Sequence, residues 1–159
     1  MHKNLISLGL MSGTSGDGVD ASIVRTNGIN QYESIKDKYF EYDSKIYKDI
    51  HNLKEKINKI DDLDTYSKEI NILERKITIF HAEIIDQLNI SDETIIGFHG
   101  QTIYHNPEKK ISLQLGNGEL LNQLTKKNIV FNFRNNDILN GGQGAPLTPV
   151  FHHLISIKN

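Results

Sequence analysis

The chain has 159 residues, 18 basic and 20 acidic side chains and a formal charge of −2. That balance excludes the electrostatic footprint of a nucleic-acid or anionic-membrane binder. Apolar residues make up 37% and charged residues 24%, enough for one packed domain or a lobe of something larger. Cysteine is absent, which excludes a disulfide framework, a thiolate metal site and a Cys nucleophile, and fits a cytoplasmic setting. The short apolar run after Asn4 is not a signal peptide's long apolar region, and nothing approaches the roughly 18 apolar residues of a membrane span.

Leu5–Leu10 reads as a buried strand, ending in the turn Gly13-Thr14-Ser15-Gly16-Asp17-Gly18-Val19-Asp20. Three glycines, two hydroxyls beside them and the Asp17 carboxylate make a surface suited to phosphate, because such a turn exposes several backbone N–H groups on one side. Val19–Val24 and Tyr32–Tyr42 read as two further strands, so an antiparallel meander is expected with the glycine loop joining its first pair. Gly16-Asp17-Gly18-Val19-Asp20-Ala21 also fits the dinucleotide fingerprint. That motif must open a helix, and Asn27-Gly28 ends the following segment too early for one. The Walker pattern fails for want of a Lys after the glycines, and Asp17 occupies the last position of a nucleophile elbow.

Two helices are expected next. Ile46, Ile50, Leu53 and Ile57 form the stripe of the first, capped by Asp43 or Ser44. Asp61 or Asp62 is expected to cap the second, whose stripe runs Leu63, Tyr66, Ile70, Leu73, Ile77, Phe80, Ile84 and Leu88. His81 falls beside that stripe and reads as structural. Thr94–Phe98 is a buried strand that delivers His99-Gly100-Gln101-Thr102 at its end, where α/β proteins place ligands. A hairpin follows, made of Ile103–His105 and Ile111–Leu115. A short helix at Glu119–Leu124 and a strand at Asn128–Phe131 come next. That strand leads into Asn132-Phe133-Arg134-Asn135-Asn136-Asp137. A second glycine-rich loop, Gly141–Leu147, and a last helix over Val150–Ile157 close the chain. The helix is still apolar at Ile155 and Ile157 when the sequence stops at Asn159, which reads as a fold cut short. The histidine pairs His99/His105 and His152-His153 lack dependable metal-ligand spacing.

Four blocks carry a resemblance: Gly9-Leu10-Met11-Ser12-Gly13-Thr14-Ser15, Asp17-Gly18-Val19-Asp20, His99-Gly100-Gln101-Thr102 and Gly141-Gly142-Gln143-Gly144-Ala145-Pro146-Leu147. In this order they resemble the anhydro-N-acetylmuramic acid kinases across essentially the whole chain. The resemblance implies an α/β fold. Specifically, it implies an actin-like (ribonuclease H-like) ATPase lobe with an N-terminal antiparallel meander and a mixed sheet packed by helices. Residues 1–159 would be the N-terminal portion of such a sugar kinase, with the second lobe absent. It further implies ATP-dependent phosphorylation of 1,6-anhydro-N-acetylmuramic acid, with water opening the anhydro bridge to give N-acetylmuramic acid 6-phosphate during cell-wall peptidoglycan recycling. The implied cofactors are ATP and Mg²⁺. Gly13, Thr14, Ser15, Gly16, Asp17, Gly18, Val19 and Asp20 would form the phosphate loop, Asp17 would face the metal, and His99, Gln101, Arg134 and Asp137 would face the sugar. Neither nucleic acid nor membrane is an expected partner. A homodimer and a complementing C-terminal fragment both stay open.

The chain departs from the family pattern in three places. Gly16 stands where the family has Leu, which adds ordering entropy to the loop and predicts weaker nucleotide binding. Asn132, Asn135 and Asn136 stand where the family has an Asp and two Arg; if one of those Arg stabilises charge during the reaction, Asn135 or Asn136 cannot replace it. The family's catalytic Asp belongs to an Asp-x-Gly-Pro-Gly-Asn block, which would lie beyond Asn159. No residue of this chain is therefore expected to be the catalytic base, and turnover should be very low. The alternatives to an active kinase are a nucleotide- or sugar-binding module without turnover, or a remnant without function.

Overall fold

The computed structural model describes residues 4–158, without the side chains of Val150, Ile157 and Lys158. Asn159, beyond which the resemblance sets the family's catalytic Asp, lies outside the described residues. The apolar end expected at Ile157 likewise lies outside the described side chains. The chain runs β1 (Leu5–Ser12), β2 (Gly18–Thr26), β3 (Tyr32–Glu41), α1 (Ser44–Lys56), α2 (Ile60–Thr65) and α3 (Ser67–Leu88). It continues with β4 (Ile95–Asn106), β5 (Ile111–Leu115), α4 (Gly118–Thr125), β6 (Asn128–Phe131), α5 (Phe133–Leu139) and α6 (Pro149–Lys158). The sheet order is β3-β2-β1-β4-β5, with β6 also paired to β4. β1, β2 and β3 form the expected antiparallel meander, β4 runs parallel to β1, and β6 runs parallel to β4.

Alternation builds the core. Leu8 and Leu10 on β1, Val19, Ala21 and Ile23 on β2, and Ile96 and Phe98 on β4 are buried together with Ile50 and Leu53 of α1 and Ile77 and Ile84 of α3. α1 starts where the sequence places it: Asp43 is the N-cap, and its Oδ1 accepts from the N–H groups of Lys45 and Ile46 at 2.8 Å each. Such a cap contributes about 1 kcal/mol.

Three expectations need correction. The long second helix is divided at Tyr66 (φ −101°, ψ 16°) into α2 and α3, although the Tyr66 and Ile70 N–H groups carry hydrogen bonds across the break. Lys59, not Asp61 or Asp62, is its N-cap; Asp62 instead reaches back from the first turn to accept from the N–H groups of Asn58 and Lys59 at 2.9 Å each. His81 lies inside the apolar stripe, fully buried one turn after Ile77, because a 3.6-residue period carries the stripe through it.

A fourth correction shapes the site. β4 does not end at Phe98 but continues to Asn106, so His99–Thr102 is mid-strand. Leu10 pairs with Phe98 while Ser12 pairs with Gln101, so β4 holds one extra residue there. Gly100, at φ +73°, supplies the left-handed conformation of this bulge, and a Cβ on it would lie 2.4 Å from the Leu115 carbonyl oxygen. Burial changes phase across it: Ile96 and Phe98 are buried before the bulge, Gln101 and Ile103 after it. His99 and Gln101 consequently fall on opposite faces of the sheet.

Candidate functional site

The glycine loop between β1 and β2 is held from below by its own carbonyls. Gly13 O accepts from Gln101 Nε2 at 2.9 Å and from the Gly16 N–H at 3.2 Å. Thr14 O accepts from Lys54 Nζ at 2.5 Å, and Asp17 O from the Tyr42 N–H at 2.8 Å. Tyr42 grips the loop a second time, its buried hydroxyl lying 2.8 Å from Ser12 Oγ. In a planar trans peptide the carbonyl of one residue and the N–H of the next point in opposite directions. The Thr14 and Ser15 N–H groups therefore lie on the far side of their peptide planes from Gln101 and Lys54. The anchors thus hold one side of the chain and leave those two N–H groups on the other.

Gly16 sits at φ +69°, and a Cβ there would be 2.9 Å from Ile50 Cγ2. The glycine thus meets a steric requirement as well as adding freedom to the loop. Near the same point, His51 Nε2 and Gln101 Oε1 are buried without a hydrogen-bond partner among the described residues. Gly18 is closer still to its surroundings, since a Cβ would lie 2.4 Å from Phe40 O and 2.5 Å from the Tyr39 hydroxyl. Asp17 is exposed. Ser15 Oγ donates to its Oδ1 at 2.5 Å and is the main reason its carboxyl is held below the ordinary range, with backbone N–H groups and the Tyr39 hydroxyl adding to it. Val19 is a core residue, and Asp20 is exposed on β2 opposite Met11 and Tyr39.

The four residues expected at the sugar separate into two groups. Gln101 is fully buried and serves the glycine loop. His99, Arg134 and Asp137 come together on the other face, beside α5. Arg134 and Asp137 lie in that helix, where the sequence shows only a strand leading into them. Asn132 precedes it at φ +64°, a left-handed conformation that Asn tolerates better than most residues. Arg134 Nε donates to His99 Nε2 at 2.8 Å, which leaves Nδ1 as the protonated ring nitrogen, donating to Gly100 O at 2.7 Å. Burial holds the His99 ring below its ordinary pKa, and the Arg134 charge adds to this, against the Gly100 hydrogen bond. A cleft of about 520 Å³ opens here, lined by His99, Phe133, Asn136, Asp137, Asn140 and Leu147.

Sequence reasoning misses Lys54, Tyr42 and Tyr39 as loop residues. Lys54 lies off the apolar stripe of α1, and nothing in its spacing reports that its ammonium reaches Thr14. No cluster of three or more metal-ligating side chains occurs among the described residues. Among them, too, no helix is long and apolar enough to cross a membrane.

An antiparallel meander, two strands parallel to its first, helices against the sheet and an anchored glycine loop in the first hairpin together define a mixed α/β protein with a mixed sheet packed by helices. Residues 5–159 match the family model described as anhydro-N-acetylmuramic acid kinase, and the chain belongs to that family. It is 60% identical over its whole length to an anhydro-N-acetylmuramic acid kinase of Pelagibacter ubique, of which it covers 43%. Proteins of the same description from Agrobacterium fabrum and Gluconobacter oxydans are 35% and 37% identical over 94% and 92% of the chain, which covers 42% and 41% of them. The chain thus spans less than half the length of these relatives.

Proposed function

We propose that these residues supply the phosphate loop and one wall of the sugar cleft of a kinase. That kinase would transfer the γ-phosphoryl group of ATP to 1,6-anhydro-N-acetylmuramic acid, while water opens the anhydro bridge to give the 6-phosphate, in the cytoplasmic recycling of peptidoglycan. The observation that carries this is the anchoring of the first-hairpin loop. Gln101, Lys54 and Tyr42 occupy three of its carbonyls and leave the Thr14 and Ser15 N–H groups free of those anchors.

The residues fit the cofactor. The Thr14 and Ser15 N–H groups, with the Thr14 hydroxyl beside them, suit phosphate oxygens. The Lys54 ammonium lies one peptide away and adds a favourable charge. Asp17 fits magnesium: it is exposed, and its depressed pKa keeps it ionised at neutral pH. A single carboxylate suffices because Mg²⁺ retains several waters and takes its other ligands from phosphates. When bound, the ion supplies neutralisation of charge on the transferring phosphoryl group. Asp17 would orient the metal-bound water, and Ser15 would hold the Asp17 carboxylate in place. On the other face of β4, the cleft beside His99 offers apolar walls from Phe133 and Leu147 and amide groups from Asn136 and Asn140, a mixture suited to an amino sugar.

Calorimetric titration of the chain with Mg²⁺-ATP, ADP and the anhydro sugar tests the reading, with mass spectrometry for the 6-phosphate after mixing all three. Saturable binding of both ligands supports it. Binding without product assigns the chain to recognition, the remaining chemistry falling to residues outside these 159. Failure to bind either ligand overturns it.

A further inference from the structure

We infer that Arg134 and Asp137 are positioning residues that grip Gly144 from both sides and so hold the Gly141–Leu147 loop as the wall of the cleft, with His99 supporting Arg134. The inference rests on the reading above only for the identity of the cleft's occupant.

Arg134 and Asp137 lie three residues apart on α5, one above the other on a single face. Arg134 Nη1 donates to the Gly144 carbonyl at 2.7 Å, and the Gly144 N–H donates to Asp137 Oδ2 at 2.8 Å. Both polar groups of one residue are therefore taken by one turn of helix. The Gly142 N–H adds a third tie, to the Asp137 carbonyl at 2.9 Å. The loop has been cut to fit. A Cβ on Gly142 would lie 2.1 Å from Asp137 Oδ2, and Gly144 sits at φ +73° with a would-be Cβ 2.9 Å from Ile138 Cδ1. A side chain at Gly142 would displace the Asp137 carboxylate, and one at Gly144 would press on Ile138 from a left-handed backbone.

Two of the three Arg134 guanidinium nitrogens are committed to protein groups. Its Nε goes to His99 and its Nη1 to Gly144, and Arg134 is not among the residues lining the cleft. Its influence on a ligand passes through the His99 ring and through the loop that carries Leu147, which do line it. Asp137 needs only an acceptor oxygen for the Gly144 N–H. Its negative charge is not required for that task, so an amide can replace it.

Asp137→Asn and Asp137→Ala separate positioning from direct contact. Each variant is followed by amide hydrogen exchange at Gly144 and by titration with the anhydro sugar, with ADP as the control ligand. Asp137→Asn is expected to keep Gly144 protection and to bind the sugar within about threefold of the parent chain. Asp137→Ala is expected to lose Gly144 protection and about tenfold in sugar affinity, with ADP affinity unchanged. If Asp137→Asn loses sugar affinity like Asp137→Ala while Gly144 stays protected, the carboxylate contacts the ligand directly and the inference is overturned. An unprotected Gly144 amide in the parent chain also overturns it. A parent chain that binds no sugar but protects Gly144 refutes the proposed function and leaves the clamp standing.

Discussion

Gln101 Nε2 donates to the Gly13 carbonyl at 2.9 Å, joining the middle of β4 to the glycine loop across 88 positions of sequence. The two halves of that amide act differently, because Oε1 is buried without a partner among the described residues. Gln101→Leu removes both. The loss of the donor costs about 1 kcal/mol, and removal of the orphaned oxygen offsets much of it. Stability in urea is therefore expected to change by less than about 1 kcal/mol. Nucleotide affinity is expected to fall about tenfold, because the loop loses an anchor that only matters when the loop must be held still. ADP titration checks this, and unchanged affinity would count against Gln101 as a loop anchor.

Tyr42 joins both ends of the same loop, through its hydroxyl to Ser12 and its N–H to Asp17. Burial pushes its phenol up to about 12, against the Ser12 hydrogen bond, from the ordinary 10. The neutral phenol is thus the form the fold favours. The stability it contributes is complete below pH 10 and is lost as pH rises from there towards about 12. A two-unit shift corresponds to roughly 3 kcal/mol. Denaturation followed from about pH 9 upward is expected to show a steep alkaline loss in the parent chain and a shallower one in Tyr42→Phe.

Two glycines give contrasting predictions. Gly28 has φ +75° with open space around a would-be Cβ, so Gly28→Ala pays only the left-handed penalty of about 1 kcal/mol. Gly18→Ala would set its Cβ against the Phe40 carbonyl oxygen, a backbone atom that cannot swing aside, and against the Tyr39 ring. It is expected to cost about 2–3 kcal/mol. Equal urea midpoints for the two variants would show that β3 yields at Phe40.

Patterns that repeat locally were readable in the sequence, and single departures from repetition were not. The meander follows from alternation and from the early stop at Asn27-Gly28, and Asp43 caps α1 by local chemistry alone. The bulge at Gly100 has no local signature: one glycine in a strand does not say whether it bends, bulges or makes room. Without it His99 and Gln101, two residues apart, belong on one face and look like one site. Asn132-Phe133-Arg134-Asn135-Asn136-Asp137 hides a helix because it is too short for a period and rich in residues that favour turns. Lys54 and Tyr42 reach the loop through tertiary packing, which residue spacing does not encode.

His81 makes the acid side of stability specific. Its Nδ1 donates to the Ile77 carbonyl at 2.7 Å, while Nε2 is buried without a partner among the described residues, and the ring packs against Phe98 at 4.8 Å between centroids. Burial lowers its pKa to about 4 from 6.5, the Ile77 hydrogen bond opposing and the nearby His99 adding slightly. Between those values the unfolded chain binds the proton and the folded chain does not. The contribution is therefore complete above pH 6.5 and is lost as pH falls towards about 4, by roughly 3 kcal/mol in all. His81→Leu removes the titrating ring, so its urea midpoint is expected to fall less between about pH 7 and about pH 4 than that of the parent chain.

Asp17 gives the sharpest test of the phosphate loop. Its carboxylate is exposed and held by Ser15, so the fold does not depend on it, and Asp17→Ala is expected to leave the urea midpoint nearly unchanged. Its proposed work is with the metal, which accompanies ATP and is absent from a titration of ADP in a chelator. The variant should therefore weaken Mg²⁺-ATP about tenfold or more and metal-free ADP by no more than about threefold, since removing one negative charge beside the phosphates can even favour the bare anion. Ser15→Ala should move in the same direction by less, because Asp17 keeps its charge but loses its main hydrogen bond. Calorimetry with and without chelator separates the cases. An equal loss for both ligands would mean that Asp17 shapes the loop and does not meet the metal.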